Sequence, residues 1–318
     1  MARPLRIEGA GLWYHVMCRG NDGQRVFSGA KDYESFLTRL GIVALGFHVE
    51  IHGYALMRTH VHLFVRTRES NLGRFMQRLL TGYTQWFHFR HDTGGHLFQG
   101  RYKALVVDKN AYGAEVSRYI HLNPVRVAAG RKQTVALRQA MLRDYRWSSY
   151  RAIIGLAKGE EWLVTTDTLG RWGASLREQQ ARYATFVEQG LIEDFKDPGE
   201  EAQAQSILGR DRFVDRIRRI LRGRGGGDHE SDRLRRELMA ETIDTVVARV
   251  ARVYKVKPED VMKRRRGNEA RQMALWLARE RCGSRMTMRE IGKEMGGVSG
   301  GAVSMACRGI ASRILICA

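Results

Sequence analysis

The sequence MRTHVHLFV at residues 57–65 sets two imidazoles, His60 and His62, inside an apolar, β-branched run. Such a run is typical of a strand, and side chains at positions i and i+2 of a strand project from the same face. The two histidines therefore stand side by side. Imidazole is a common ligand of divalent ions, so the pair supplies half of a candidate metal site. Two ordinary histidines would give the same pattern.

A second candidate group lies in YGAEVSRYIHLNPVR at residues 112–126, a helical pattern that Pro124 should stop at or just before Asn123. Tyr119 and Asn123 are one helical turn apart and share a face. A tyrosine oxygen can attack phosphorus when a cation favours the phenolate, and the Asn123 amide oxygen can serve as a third ligand. A packed aromatic and a helix-ending asparagine fit the same spacing.

Together these residues resemble a known family. His60-Val61-His62, with Tyr119 and Asn123 downstream, resembles the HUH single-tyrosine transposases of the IS200 type, and most closely their REP-associated branch. One departure is Arg58-Thr59, where the family pattern has Pro-Asn before the first histidine. Further stretches that resemble this branch are Tyr14-His15-Val16, Arg19-Gly20-Asn21, HLFQGRYK at 96–103, RYIHLNPVR at 118–126 and WSSY at 147–150.

The resemblance implies a metal-dependent enzyme that cleaves and rejoins single-stranded or hairpin DNA through a 5′-phosphotyrosine intermediate. Tyr119 is the implied nucleophile, and His60, His62 and Asn123 are the implied ligands of Mg²⁺ or Mn²⁺. The covalent intermediate conserves bond energy, and since the chain carries no Walker A string we expect no use of ATP. The alternative is a non-catalytic regulator that binds DNA through a helix-turn-helix.

The charge balance favours a polyanionic partner. The 318 residues include 54 Lys and Arg against 34 Asp and Glu, a formal net charge of +20. DNA is the leading partner, because docking on a membrane would need an amphipathic anchor or a lipid signal, and neither is present. Near the proposed site, the residues predicted to hold DNA phosphates are Arg19, Arg101, Lys103 and Arg126.

The spacing of the cysteines and the length of the apolar runs indicate the cellular compartment. No C-x-x-C or paired spacing occurs, which predicts reduced thiols. No apolar run approaches the roughly 18 residues of a membrane span, and we expect a cytoplasmic protein. The scattered cysteines are Cys18, Cys282, Cys307 and Cys317.

The order of patterns predicts three parts. Residues 1–150 read as β-α-β-β-α-β, an α+β ferredoxin-like domain with an antiparallel sheet and helices on one face. Residues 151–232 read as a helical connector with a glycine-rich hinge at 223–228. Residues 235–318 read as an all-α helix-turn-helix domain. The oligomeric state stays open.

Residues 238–312 resemble the C-terminal DNA-binding domain of the DnaA initiator, which implies contact with duplex DNA. Where that family leads its recognition helix with Arg-Asp-His-Thr, this chain has Val298-Ser299-Gly300-Gly301, which puts that family's sequence specificity in doubt. Stretches that carry the resemblance are 253–256, 264–265, 271–274, 290–292 and 303–310. The residues expected to hold phosphates are Arg264, Arg265, Arg266 and Arg271.

Overall fold

The computed structural model describes residues 7–126, 133–193, 197–203, 206–222, 242–265, 267–282 and 286–307. The predicted hinge at 223–228 and Arg266 lie outside the described residues. The chain divides into two compact units, Met1–Ile220 and Leu221–Ala318.

The first unit is built on one sheet with the strand order β2-β3-β1-β4-β5. The first four strands pair antiparallel, which confirms the predicted ferredoxin-like sheet. A fifth, short strand that the sequence pattern did not reveal runs parallel to β4. The strands are β1 Trp13–Arg19, β2 Val49–Met57, β3 His60–Thr67, β4 Lys103–Val107 and β5 Ile207–Leu208.

The helices of this unit follow the apolar periodicity closely. No helix among the described residues is long and apolar enough to cross a membrane. Two 3₁₀ turns, Asn21–Gly23 and Pro198–Glu201, connect longer elements. The helices are α1 Ala30–Gly46, α2 Leu72–His91, α3 Lys109–Arg126, α4 Val135–Asp144, α5 Tyr150–Ile153, α6 Thr166–Leu169, α7 Leu176–Gln189 and α8 Asp211–Arg222.

Strand register decides which side chains share a face of the sheet. His62 lies opposite Met17, and Phe64 lies opposite His15, so these side chains project together. Helix α3 covers this face through Val116 and Ile120, which cluster with Trp13, Phe64 and Val107. The opposite face carries the fully buried Tyr14, Val16 and Leu63. The helix that bears Tyr119 therefore lies across the histidine face.

The end of α3 differs from the prediction. The helix continues through Pro124 to Arg126 instead of stopping at Asn123. Proline removes one backbone donor from the helix, but Leu122 and Val125 belong to a buried cluster with Leu142 and Tyr150. Burial of this last turn outweighs the lost hydrogen bond, since a fully buried apolar side chain contributes about 1.5–3 kcal/mol.

The second unit is helical, with α9 Ile243–Tyr254, α10 Pro258–Met262, α11 Glu269–Cys282, α12 Met288–Glu294 and helical residues 300–307. Helix α12 begins at a capping box in which Thr287 and Glu290 exchange hydrogen bonds. The turn after it needs Gly296 and Gly297, whose φ angles are +85° and +74°. Helix α12, this turn and the helix at 300–307 form the predicted helix-turn-helix.

Candidate active site

The paired histidines lie on β3 as the sequence predicts. The ring centroids of His60 and His62 are 5.1 Å apart. His62 is buried and His60 is half-buried. Burial lowers the pKa of both imidazoles, and that of His62 falls well below its ordinary value. Both rings are therefore neutral at pH 7, which is the form that binds metal ions.

A third histidine, His15 on β1, completes this cluster. Its Nε2 lies 2.9 Å from Nδ1 of His62, and the side chain is almost fully buried. Burial lowers the pKa of His15 to about 4, so both rings are neutral and one N–H donates to the other nitrogen. When Nδ1–H of His62 is the donor, its Nε2 keeps a lone pair for a metal ion. His15 was not predicted as a site residue, although its place on the β1 strand pattern could have indicated it.

Tyr119 projects from α3 over the histidines. Its ring centroid lies 5.8 Å from that of His62 and 5.7 Å from that of His15. The guanidinium of Arg126 lies 5.1 Å from the centre of the Tyr119 ring. The structure thus brings together the predicted nucleophile and the predicted histidine pair.

The hydroxyl of Tyr119 donates a hydrogen bond of 2.8 Å to Oδ2 of Asp197. Desolvation and the charge of this carboxylate raise the pKa of Tyr119, so the group is a phenol at neutral pH. Oδ1 of Asp197 accepts from the backbone N–H of Gly199 at 2.8 Å, which fixes the carboxylate as the cap of the following 3₁₀ turn. Sequence reasoning missed Asp197, because it lies in the weakly patterned segment and no local motif marks it.

Asn123 lies one turn beyond Tyr119. Its Nδ2 donates to the backbone oxygen of Tyr119 at 3.0 Å, and the amide's hydrogen bonding also acts to lower the phenol pKa. This places the amide group beside the phenol, and the ligand role of its oxygen stays a prediction.

A buried hydrogen-bond network fixes the orientation of α3. The hydroxyl of Tyr183 lies 2.5 Å from Oγ of Ser117 and 2.8 Å from Nδ1 of His121. The other nitrogen of His121 lies 2.8 Å from Oγ of Ser149. Because His121 points into this network, it faces away from the Tyr119 hydroxyl. The network locks α3 against α7 and the segment before α5.

The cluster suits a divalent metal ion held by mixed ligands. Within the described part of the chain, no group of three or more His, Cys, Asp and Glu side chains is arranged to hold a metal. The candidate set instead combines two neutral imidazoles with the amide oxygen of Asn123. The amide oxygen, with phosphate and water oxygens, suits Mg²⁺ or Mn²⁺, and the two imidazoles would also accept Zn²⁺ or Co²⁺.

Basic side chains border the site. Arg19 is exposed and pairs in register with His60. Burial is the main cause of the lowered pKa of His60, and the positive charge of Arg19 lowers this pKa further. Lys103 is exposed at the start of β4, opposite Met17 and hence on the histidine face. Arg126 packs on Tyr119, and Arg101 is exposed two residues before β4. Arg19 and Lys103 thus border the histidine face, and their contact with DNA phosphates stays a prediction.

The predicted arginines of the second unit have different surroundings. Arg271 is 6% exposed, and its guanidinium donates to the backbone oxygens of Met262 and Met295. This internal role differs from the phosphate contact predicted for Arg271, because the side chain is buried between α10 and α12. Arg264 donates to the backbone oxygens of Gly296 and Gly297, and Arg265 is exposed, 3.8 Å from Asp260.

The sheet order, the histidine pair and the tyrosine on a covering helix define an α+β domain of the HUH type. Residues 10–123 match the family described as "Transposase IS200 like". Residues 243–310 match the family described as "Bacterial dnaA protein helix-turn-helix". The two matches confirm both resemblances drawn from the sequence: the chain carries an IS200-like transposase domain and a DnaA-type helix-turn-helix domain.

One solved structure shows a REP-associated tyrosine transposase bound to a REP hairpin. It is similar over 55% of this chain and 93% of that chain, with 15% sequence identity and a TM-score of 0.39. No curated protein matches the chain significantly.

Proposed function

We propose that the protein is a metal-dependent transposase that cleaves and rejoins single-stranded or hairpin DNA, with Tyr119 as the nucleophile. The observation that carries this proposal is the placement of the Tyr119 ring beside His62 and His15, with its hydroxyl held by Asp197. A nucleophile, a proton acceptor and a histidine pair then meet on one face of the sheet.

The side chains of the protein divide the reaction between them. Oη of Tyr119 attacks the scissile phosphorus while Asp197, 2.8 Å away, accepts the phenol proton. The bond from phosphorus to the 3′ oxygen breaks, this oxygen takes a proton from water and leaves as a hydroxyl, and the 5′ phosphate stays on Tyr119. Attack by a 3′ hydroxyl of another end reverses these steps. No ATP is needed, because one phosphate ester replaces another.

Metal chemistry belongs to the same site. His60, His62 and Asn123 would hold Mg²⁺ or Mn²⁺, and the bound ion would supply polarisation of the scissile phosphate. His15 orients His62 through the hydrogen bond between their rings. Arg19 and Lys103 hold neighbouring phosphates, which aligns the strand for in-line attack.

The helix-turn-helix unit is proposed to bind duplex DNA mainly through phosphate contacts. Its exposed Arg265 and the small residues at 298–301 suit backbone contact better than reading of base edges. This unit also supports the second candidate, a regulator without nuclease activity. The two functions differ in one measurable product, the covalent complex of protein and DNA.

The test is a cleavage assay on hairpin oligonucleotides with single-stranded flanks, labelled at either end, with Mn²⁺ or Mg²⁺. The strand downstream of the cut should remain on the protein in a denaturing gel. Tyr119→Phe should abolish this adduct and retain hairpin binding. The matched control is Tyr112→Phe on the same helix, whose hydroxyl bonds to Glu201 at 3.1 Å.

Two results contradict the proposal in different ways. An undiminished adduct in Tyr119→Phe would show that another residue is the nucleophile. A native protein that binds hairpins tightly but forms no adduct with either metal ion would support the regulator.

A further inference from the structure

Helix α2 carries no acidic residue along its 20 positions, Leu72–His91. Its inward side is buried, and one line of side chains on its outward side is exposed from end to end. These side chains recur every three or four positions, which places them one above another on the same side of the helix. The exposed line, called the α2 stripe below, consists of Arg74, Arg78, Thr81, Gln85 and Phe89.

The four polar members of the α2 stripe suit a row of phosphates. Each carries an N–H or O–H donor, and neighbouring members lie about 5–6 Å apart. The carboxylates of Glu8 and Asp32, at the two ends of the helix, already have partners. Glu8 accepts from the backbone N–H of Gly73 at 2.7 Å, and Asp32 lies 3.0 Å from His91. The stripe therefore offers donors and positive charge to an anionic chain.

Phe89 ends the stripe with an aromatic ring that is 90% exposed, more than any other large hydrophobic side chain among the described residues. An exposed ring is a stacking surface for an unpaired base. Bases inside a duplex are already stacked on one another, so the ring favours single-stranded DNA. Asp92, the exposed C-cap residue three positions later, disfavours a phosphate at this end but not a base.

The straight course of the stripe also favours a single strand. Fifteen positions separate Arg74 from Phe89, which is about 22 Å at 1.5 Å per residue. The backbone of a duplex completes a turn in about 10 base pairs and soon curves away from a straight line. A flexible single strand can follow the line from one end to the other.

The Phe89 end of α2 lies toward the histidine end of the sheet. Tyr83, in the second half of α2, donates to the backbone oxygen of Val26 at 2.5 Å. The backbone N–H of Val26 donates at 2.8 Å to the oxygen of Arg58, in the turn just before His60. A strand that leaves the histidines can therefore pass round this end of the sheet to reach Phe89.

We propose that the α2 stripe binds the single-stranded flank of the hairpin substrate, with its polar side chains on phosphates and the Phe89 ring on an unpaired base. This inference rests on the proposed function for its substrate and adds the path of the flank. The flank passes from the scissile phosphate beyond Arg19 to Phe89, and then runs along α2 toward Arg74.

The test uses fluorescence anisotropy on the full-length Tyr119→Phe protein, so that cleavage plays no part. The probes are a hairpin with a single-stranded flank of roughly ten nucleotides and the same hairpin without a flank. The double variant Arg74→Gln/Arg78→Gln should bind the flanked hairpin more weakly. Its slope of log affinity against log salt concentration should be shallower by roughly 1.4, since each lost contact with a single strand removes about 0.7. Affinity for the hairpin without a flank should not change.

Phe89→Ala tests the stacking end of the stripe. This variant should lose roughly tenfold in affinity for the flanked hairpin, whereas a flank made of abasic residues should bind the variant and its parent equally. Two matched controls should keep the parent's affinity: Leu45→Ala, 70% exposed on α1, and Arg177→Gln, exposed on α7. Every substituted side chain is exposed, so melting temperatures should not change.

Three results overturn the assignment. The first is an unchanged salt slope in the double variant. The second is an equal loss of affinity on the hairpin without a flank, which would assign the stripe to the duplex stem. The third is a dimer that dissociates in Phe89→Ala with flank affinity intact, which would assign Phe89 to a second copy of the chain. If the native protein still forms the hairpin adduct in these cases, the proposed function stands; a native protein that binds neither hairpin contradicts the proposed function itself.

Discussion

His52 on β2 should make the first unit sensitive to acid. Its ring is fully buried against Trp13, with ring centroids 4.1 Å apart, and neither ring nitrogen has a hydrogen-bond partner. Burial lowers the pKa of His52 to about 4, although Asp167 and Glu50 act in the opposite direction. The folded protein therefore keeps His52 neutral at a pH where the unfolded chain protonates it.

The sign and size of the effect follow from proton linkage. Between the unfolded pKa near 6.5 and the folded value of about 4, the unfolded state binds more protons, so stability falls as the pH falls. One such histidine lowers the free energy of unfolding by about 2 kcal/mol between pH 7 and pH 5. His15, with a pKa of about 4, and His121, with a pKa of about 3, act in the same direction.

The perturbation is His52→Phe, which keeps an aromatic ring against Trp13 and removes the titration. Urea unfolding followed by circular dichroism at pH 7 and pH 5 gives the free energy of unfolding at each pH. The variant should lose about 2 kcal/mol less than the wild type over this range. The exposed His96 provides the control variant His96→Phe, which should behave as the wild type.

An equal pH dependence in His52→Phe and the wild type would refute this reasoning. The result matters for function, because it separates unfolding from changes within the active site. If His52→Phe retains its fold at pH 5 and still loses cleavage, the loss belongs to groups of the active site and not to unfolding.

Three further predictions concern the chemistry and the division into units. Cleavage should be abolished, while hairpin affinity remains, in His60→Ala, in His62→Ala and in the native protein with excess EDTA. Cleavage in excess chelator would show that no metal is required. Asp197→Asn should slow adduct formation roughly 10²–10⁴-fold, as expected for a lost general base. Ultraviolet difference titration against Tyr119→Phe should show a lower pKa for the Tyr119 phenol in Asp197→Asn than in the wild type. An unchanged rate of adduct formation would show that Asp197 takes no part in the reaction. Truncation after Leu221 should preserve nicking and weaken DNA binding. The slope of log affinity against log salt concentration should become shallower by roughly 0.9 for each lost duplex phosphate contact. An inactive truncated protein would mean that the units are catalytically coupled.

Local periodicity was enough to find the centre of the site. The i, i+2 spacing of His60 and His62 on a strand, and the i, i+4 spacing of Tyr119 and Asn123 on a helix, are geometric consequences of regular backbone. No such spacing rule predicts Asp197, because its contact with Tyr119 joins residues 78 positions apart in the chain. Contacts of that kind depend on the tertiary fold and leave no pattern in the neighbouring sequence.

Pro124 and Arg271 show how burial overrides local rules. A proline predicts the end of a helix, yet the buried turn containing Val125 holds α3 together past it. A basic cluster predicts phosphate contacts, yet Arg271 donates to the backbone oxygens at the ends of α10 and α12. The last carbonyls of a helix lack partners within the helix, and a guanidinium satisfies them well. Composition shows how many basic residues a segment has, but not which ones are needed inside it.

Exposed Arg264 and buried Arg271 both donate to backbone oxygens, and these contacts bear on where DNA specificity arises. With both guanidiniums bonded to backbone oxygens, and with Val298, Gly300 and Gly301 around the turn, the described part of the second unit offers few side chains to base edges. Affinity from phosphates is insensitive to sequence and falls with salt. Under the proposed function, we therefore expect discrimination between substrates to come from the first unit. Base changes in the unpaired flank should alter binding far more than base changes in a distant duplex, and the reverse result would assign sequence reading to the helix-turn-helix.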